Sequence, residues 1–274
     1  MSQSRSFSVA DDLALALRLA TLADEITLAR FMSLDLVIET KPDLTPVTDA
    51  DKAVERAIRE VLAKERPDDL IIGEEFGGTP DSNTNSYYWV IDPIDGTKNF
   101  LRGIPTWATL IGLSNPDNEV VVGAVSSPAL NRRWYAGKNL GAFVVENGQQ
   151  RAIRVSQVAA LSNAQLAYSD LVGWGSRKSA FLTIQERVWR TRGFGDFWSH
   201  MLVAEGAVDV AIEPVLALWD MAALEIIVRE AGGTFTNLDG QPGSHGGSLV
   251  TSNGKIHAEF LTLLNQPSDT AHSK

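Results

Sequence analysis

The stretch WVIDPIDGTKNF, residues 89–100, runs an aromatic and apolar strand into Asp92 and Asp95, then into Gly96-Thr97. Two carboxylates at the end of a strand are costly unless something compensates their charge. Pro93 fixes its own φ and pushes Asp92 towards an extended shape. The turn can then aim both carboxylates and the Ile94 carbonyl into one pocket. Gly96 lets the backbone approach a ligand, and Thr97 and Asn99 stand where a helix can begin, a position suited to phosphate. Magnesium takes oxygen ligands, with one or two carboxylates per ion plus water and phosphate. The turn meets that demand, although DPIDGT alone also reads as a plain Asx-type turn.

Further acids sit at element ends. Glu74 follows Gly73 at the close of a short strand, LIIG (70–73), beside Glu75; such a pair is ordinarily a solvated loop. Asp51 begins a helix in VTDADKAVE (47–55) and Asp220 precedes one in LWDMAA (218–223). Each alone reads as an N-cap. Together with the DPID pair they form a set of oxygen donors that capping by itself does not explain.

Working outward, Ser8-Val9-Ala10-Asp11 reads as a helix start with Ser8 as N-cap, and Leu15, Leu19, Leu22 and Ile26 continue it at helical spacing. Pro42 and Pro46 predict a loop. A second helix is expected from about 51 to 66, with Val54, Ile58 and Val61 on one face. Closely spaced strand patterns follow at 70–73, 87–91, 107–114, 120–128, 132–137, 141–148 and 151–156, which predicts an antiparallel meander. Beyond about residue 157 strands (164–169, 208–213, 233–237, 248–252) alternate with helices (177–192, 197–206, 220–231, 254–264), the rhythm of an α/β half. The expected division is an α+β domain over 1–155 carrying the DPIDGT turn, an α/β domain over 156–266 supplying Asp220 and the substrate pocket, and a frayed tail over 267–274.

The chain has 274 residues, 44% of them apolar, and a net charge of −10. That suits one large domain or two closely packed ones, and the acidity opposes nucleic-acid binding. The absence of cysteine excludes disulfides, thiolate metal sites and cysteine nucleophiles. No run approaches the ~18 apolar residues of a membrane span, and the N-terminus lacks a signal-peptide core. A cytoplasmic protein with neither membrane nor nucleic-acid partner is expected.

The run DPIDGTKNF (92–100), with VTDADKAVE and GEE (73–75) upstream and WDMAALEIIVREAGG (219–233) downstream, resembles the inositol monophosphatase family of magnesium-dependent, lithium-sensitive phosphatases. The matching motifs span roughly residues 45–235. The resemblance implies an α+β, α/β fold, a layered α-β-α-β-α sandwich that is usually a homodimer, and a small phosphate monoester as substrate. It implies two to three Mg2+ ions. Glu74, Asp92 and the Ile94 carbonyl would hold the first, Asp92, Asp95 and Asp220 a second, and a third, weaker ion would sit near Glu74. The Gly96 and Thr97 amides would cradle the phosphate. Thr97, with Asp51 behind it and Glu74 beside it, would orient the attacking water.

Substrate choice falls outside that centre. GDFWSHMLVAEGAVD (195–209) is similar to the histidinol-phosphate phosphatases of the family. Asp196 and Glu213 would place two carboxylates around the leaving group, which suits a cationic alcohol such as histidinol, with its ammonium and imidazole. Charged hydrogen bonds of this kind contribute ~1.5–3 kcal/mol. Phe197 and Trp198 read as core or as a platform for the ring, and Lys98 as a bridge to a neighbouring acid. Inositol-1-phosphate or another polyol or sugar phosphate is the rival substrate, and a non-catalytic binding module on the same fold is the rival of another class. His200, His245, His257 and His272 make no obvious site and read as surface or structural residues.

Overall fold

The computed structural model describes residues 8–42, 44–79 and 86–266, so the tail expected over 267–274 and His272 lie outside the described residues. Helix α1 (Val9–Arg30) starts at the N-cap Ser8, whose Oγ accepts the Asp11 N–H, as the sequence predicts. A hairpin of β1 (Ile38–Thr40) and β2 (Pro46–Thr48) stands where the prolines predict a loop. Pro46 is tolerated as the first residue of an edge strand, where its missing N–H is not needed. Helix α2 (Asp49–Glu65) follows directly. Next come β3 (Leu70–Gly73), β4 (Tyr88–Asp95), the short helix α3 (Thr97–Leu101), β5 (Ala108–Ser114), β6 (Val120–Ser127), β7 (Arg132–Gly137), β8 (Gly141–Glu146) and β9 (Gln149–Ala152). Strands β3 to β9 form one sheet in sequence order. The β3/β4 pair is parallel and each later pair antiparallel, the expected meander.

The second half contributes β10 (Gln165–Tyr168), α4 (Lys178–Arg187), β11 (Arg190–Arg192), α5 (Asp196–Ala204), β12 (Val210–Glu213), α6 (Leu218–Glu230), β13 (Thr234–Thr236), β14 (Leu249–Ser252) and α7 (His257–Leu264). Its sheet has the order β11-β10-β12-β14-β13. The first three strands are parallel and the last two pairings antiparallel. The helix expected over 177–192 ends at Arg187: Val188 is extended, and Arg190–Arg192 pairs with β10. The β-branched and aromatic residues of VWRT (188–191) favour that edge strand.

Strand alternation sorts the core. Trp89, Ile91, Ile111 and Leu113 face Leu15, Leu19, Val54 and Ile58 of α1 and α2. Tyr88, Val90 and Leu110 point the other way, into a core shared with Phe197, Met201, Leu224 and Ile227 of α5 and α6. On the far face of the second sheet Leu166, Val210, Ile212 and Val250 meet Phe181, Ile184 and Phe260 of α4 and α7. Each such fully buried side chain contributes about 1.5–3 kcal/mol. The layers therefore run α-β-α-β-α. The middle helix α6 sits very close to the first sheet, because Gly123 presents no side chain to it: a Cβ there would lie 2.5 Å from the Ala223 carbonyl oxygen. That approach sets where the N-terminus of α6, and hence Asp220, falls.

Candidate metal centre and substrate pocket

Asp92 and Asp95 are three apart, and in a regular strand they would face opposite sides. Strand β4 does not end at Asp92, as the sequence reading has it, but continues to Asp95 through a bulge. The pairing with β5 passes from Asp92↔Leu110 to Asp95↔Ala108, three steps against two. The extra residue resets the alternation, so both carboxylates reach one side. Pro93 offers no ladder donor to lose there, and its carbonyl accepts the Thr109 hydroxyl at 2.7 Å. Beneath the bulge the Ile94 side chain is buried with Phe100 and Trp107. The two rings meet edge-on at 5.0 Å, and Phe31 packs 5.4 Å from Phe100. The Ile94 carbonyl accepts the Thr97 hydroxyl at 2.9 Å.

Asp220 arrives from the first turn of α6. One of its oxygens, Oδ2, accepts the Ala217 N–H at 2.7 Å, so it is the third residue of the helix rather than its N-cap. Ligand oxygens of Asp92, Asp95 and Asp220 lie within 4.8 Å of one another. Asp92 is 1% exposed, and its Oδ1 is buried without a partner. Burial raises the Asp92 carboxyl well above its usual range, and the charges of Glu74, Asp95 and Asp220 raise it further. Asp95 is raised by burial and by Asp196 and Asp220, against the opposing N–H of Phe197. Asp220 is pushed up to about 6 by burial. An orphaned buried oxygen among mutually repelling carboxylates is what a site for a hard cation looks like, and the three residues fit a metal ion.

Glu74 ends β3, one strand over, and its N–H bonds the Ile91 carbonyl at 3.1 Å. It lies outside the convergent trio, but its charge helps to raise the Asp92 carboxyl. Its Oε1 also accepts from Lys41 Nζ at 2.7 Å, and the same ammonium reaches Glu75 at 2.6 Å. Burial pushes Glu75 up to about 7. Lys41 lies between β1 and β2, and no signal in the sequence marks it. Glu55 was also missed. It is fully buried, accepts the Glu75 N–H at 2.8 Å and the Phe76 N–H at 3.2 Å, and so holds the Glu74-Glu75 turn. Its position one helical turn after Asp51 was the available clue.

Asp51 is not the N-cap of α2. Thr48 is, and Asp51 accepts the Thr48 N–H at 2.8 Å and the Thr48 hydroxyl at 2.5 Å in a capping box. Burial pushes Asp51 up to about 6, and its Oδ1 is buried without a partner. The Thr97 hydroxyl bonds Ile94 rather than the Asp51 carboxylate that the resemblance places behind it. Gly96 precedes α3 with φ 83, a left-handed conformation open to glycine.

A second set of carboxylates adjoins the first. Asp196 opens α5 with φ 49, and its Oδ2 accepts from Asn99 Nδ2 at 3.0 Å. The next residue, Phe197, donates its N–H to Asp95 Oδ2 at 2.7 Å. Glu213 ends β12, is 5% exposed and accepts the Ser169 hydroxyl at 2.5 Å. Burial raises Glu213 to about 8. The nearby Lys98 charge partly opposes the burial that raises Asp196. Ser169 follows β10, so it and Glu213 both stand at the carboxyl ends of parallel strands, where open α/β sheets place ligands; that signal was legible. Phe197 is core, 5.9 Å from Trp134, and Trp198 packs on Phe194 at 5.2 Å. His200 and His257 are structural: they bond Thr251 at 2.8 Å and Ser252 at 2.8 Å. His245 lies 3.3 Å from the Tyr88 hydroxyl.

Among the described residues no helix is long and apolar enough to cross a membrane. The family model described as "Inositol monophosphatase family" matches residues 9–268. A histidinol-phosphatase of Mycobacterium tuberculosis is 54% identical over 258 residues, covering 93% of this chain and 98% of that protein. One of Streptomyces coelicolor is 54% identical over 262 residues, covering 93% and 97%. A fructose-1,6-bisphosphatase/inositol-1-monophosphatase of Aquifex aeolicus is 33% identical, covering 82% and 83%. The solved structure of an inositol monophosphatase from Zymomonas mobilis superimposes with a TM-score of 0.81 at 32% identity, covering 94% of this chain and 99% of that one. This chain belongs to the inositol monophosphatase family.

Proposed function

We propose that the chain is a magnesium-dependent phosphate monoester hydrolase that converts L-histidinol phosphate to L-histidinol, in the cytoplasm and as a homodimer. Supporting the substrate are the names of relatives at 54% identity. The observation that carries it is the pair Asp196 and Glu213, joined through Ser169 beside the Asp92-Asp95-Asp220 cluster. Two carboxylates in a half-desolvated pocket favour a cationic leaving group over a neutral polyol. In this reading residues 1–155 provide most of the metal-binding acids, and 156–266 provide Asp220 and the pocket.

Glu74, Asp92 and the Ile94 carbonyl would hold one ion, Asp92, Asp95 and Asp220 a second, and a third would bind more weakly near Glu74. When bound, magnesium supplies positive charge that offsets the phosphate and makes phosphorus open to attack. The protein's own groups do the rest. The Gly96 and Thr97 amides, at the start of α3, orient the phosphate. With its hydrogen directed to the Ile94 carbonyl, the Thr97 oxygen accepts from the attacking water. Glu74 accepts from the same water, with Asp51 behind. Water passes a proton to Glu74 as it forms the new P–O bond, the ester P–O bond breaks on the opposite side, and the leaving oxygen takes a proton from a second solvent water near Asp220, whose hydroxide is neutralised by the proton on Glu74. No covalent phospho-enzyme is required.

Phosphate release from purified protein, compared between histidinol phosphate and inositol-1-phosphate with and without magnesium, tests this. Histidinol phosphate is expected to give a kcat/KM more than about tenfold higher, ~1.4 kcal/mol in barrier. A tenfold preference for inositol-1-phosphate would instead favour the second reading, which the 33% identity to an inositol-1-monophosphatase of Rhizobium meliloti supports.

A further inference from the structure

Ser169 bridges the Glu213 carboxylate and the backbone of Asp196. Its hydroxyl donates to Glu213 Oε1 at 2.5 Å, and its oxygen accepts the Asp196 N–H at 3.0 Å. A serine hydroxyl has one hydrogen and two lone pairs. With the hydrogen committed to Glu213, the oxygen is available to the α5 N-terminus.

The consequence is geometric. The first N–H of α5, on Asp196, is held by Ser169, and the second, on Phe197, by Asp95 Oδ2 at 2.7 Å. Asp196 adopts φ 49, a left-handed conformation that costs an ordinary residue free energy and persists only where surrounding contacts impose it. Ser169 grips the backbone at that residue. Asn99 Nδ2 grips its carboxylate, at 3.0 Å from Oδ2. Glu213 is thereby set in register with Asp196, although the two lie on different elements.

We infer that Ser169 is a positioning residue for substrate selection: its hydroxyl holds the Glu213 carboxylate and the start of α5 at a fixed separation, so that Glu213 and Asp196 face the ammonium-bearing leaving group as a pair. Ser169 itself takes no part in water attack. The inference rests on the proposed hydrolysis of a cationic phosphate ester.

Ser169→Ala, Ser169→Thr and the wild type are assayed with saturating magnesium on histidinol phosphate and on a neutral-alcohol ester, glycerol 2-phosphate. In Ser169→Ala, kcat/KM for histidinol phosphate falls about tenfold more than for glycerol 2-phosphate, the value of one hydrogen bond to a charged group. The loss appears chiefly in KM, as removal of uniform binding requires. Ser169→Thr, which keeps the hydroxyl, restores the ratio. Ser169→Cys, similar in size but a weak donor, gives the same reading if the alanine variant does not fold. Equal losses on both esters, or a threonine variant that restores nothing, overturn the inference. A wild type with no preference for histidinol phosphate overturns the substrate reading beneath it, and that result is visible before any variant is compared.

Discussion

Gly123 lies directly beneath Ala223: a Cβ on Gly123 would stand 2.5 Å from the Ala223 carbonyl oxygen and 2.5 Å from Ile226 Cγ2. The third residue of the same helix is Asp220, whose carboxylate completes the trio with Asp92 and Asp95. Sheet packing and the geometry of the carboxylate trio therefore share one contact. Gly123→Ala is expected to lift α6 and cost about 1–3 kcal/mol of stability, as overpacking does. Urea denaturation measures the first effect. A fall in apparent magnesium affinity, with Asp220 displaced, measures the second; normal affinity in a destabilised variant would separate the two.

Asp220→Asn removes one charge from a crowded cluster and leaves the core intact. Turnover is expected to fall on the order of a hundredfold or more, the scale of losing a principal electrostatic contact. In chelator the variant should melt no lower than the wild type, because one repelling carboxylate is gone. Magnesium should then raise its melting temperature less than it raises that of the wild type. An unchanged rate would remove Asp220 from the centre.

Glu213 carries a pH dependence of stability. Burial raises it to about 8 from 4.5. The fold therefore favours its protonated form, and that stability is full below about 4.5 and lost as pH climbs through about 8. His200 and His257, lowered by burial from 6.5 to about 3 and about 4, are neutral in the fold, and their opposing rise in stability fades once the unfolded chain's imidazoles have lost their protons, above about pH 7. Metal-free protein should accordingly melt at falling temperature between about pH 7 and 8, and Glu213→Gln should flatten that slope. Thermal scans in chelator across this window decide it; an equally steep slope in the variant would assign it to other acids.

At Asp196 backbone and chemistry can be separated. Both Asp196→Gly and Asp196→Ala should lose the preference for histidinol phosphate over glycerol 2-phosphate. Glycine accepts φ 49, whereas alanine does not, so the glycine variant should be more stable by ~1 kcal/mol. Equal stability would mean that the residue relaxes out of the left-handed region.

Gly73 and Glu55 form a similar close pair, with a Cβ on Gly73 only 1.9 Å from Glu55 Oε1. Gly73→Ala should push Glu55 off the Glu75 and Phe76 amides that it holds. Magnesium affinity is expected to drop even though no metal-site acid has changed. Calorimetric titration of the metal would show it, and unaltered binding would confine Glu55 to a packing role.

Much of this was readable in the chain. Period-two alternation at Trp89 to Ile91 and at Leu110 to Leu113, and the acids at element ends, are local properties carried by neighbours in sequence. They sufficed for the antiparallel meander, the α/β half and a set of oxygen donors that includes Asp92, Asp95 and Asp220; the layered sandwich was implied by the family resemblance of the motifs. The hairpin at Ile38–Thr40 and Pro46–Thr48 was not readable, because two three-residue strands with a proline leave no period to detect. Edge strand β11 is also only three residues long, and its partner β10 lies more than twenty residues away, so nothing local marks it.

By itself the sequence determined which oxygen donors exist and on which strands and helices they stand, because amphipathic period and capping chemistry act over a few residues. Only the tertiary structure decided how they meet. A one-residue bulge turns Asp92 and Asp95 to the same side, a bare glycine admits α6, and a single hydroxyl ties Glu213 to Asp196. Each is a contact between groups distant in the chain, or a break in a regular period, and packing rather than local preference selects it.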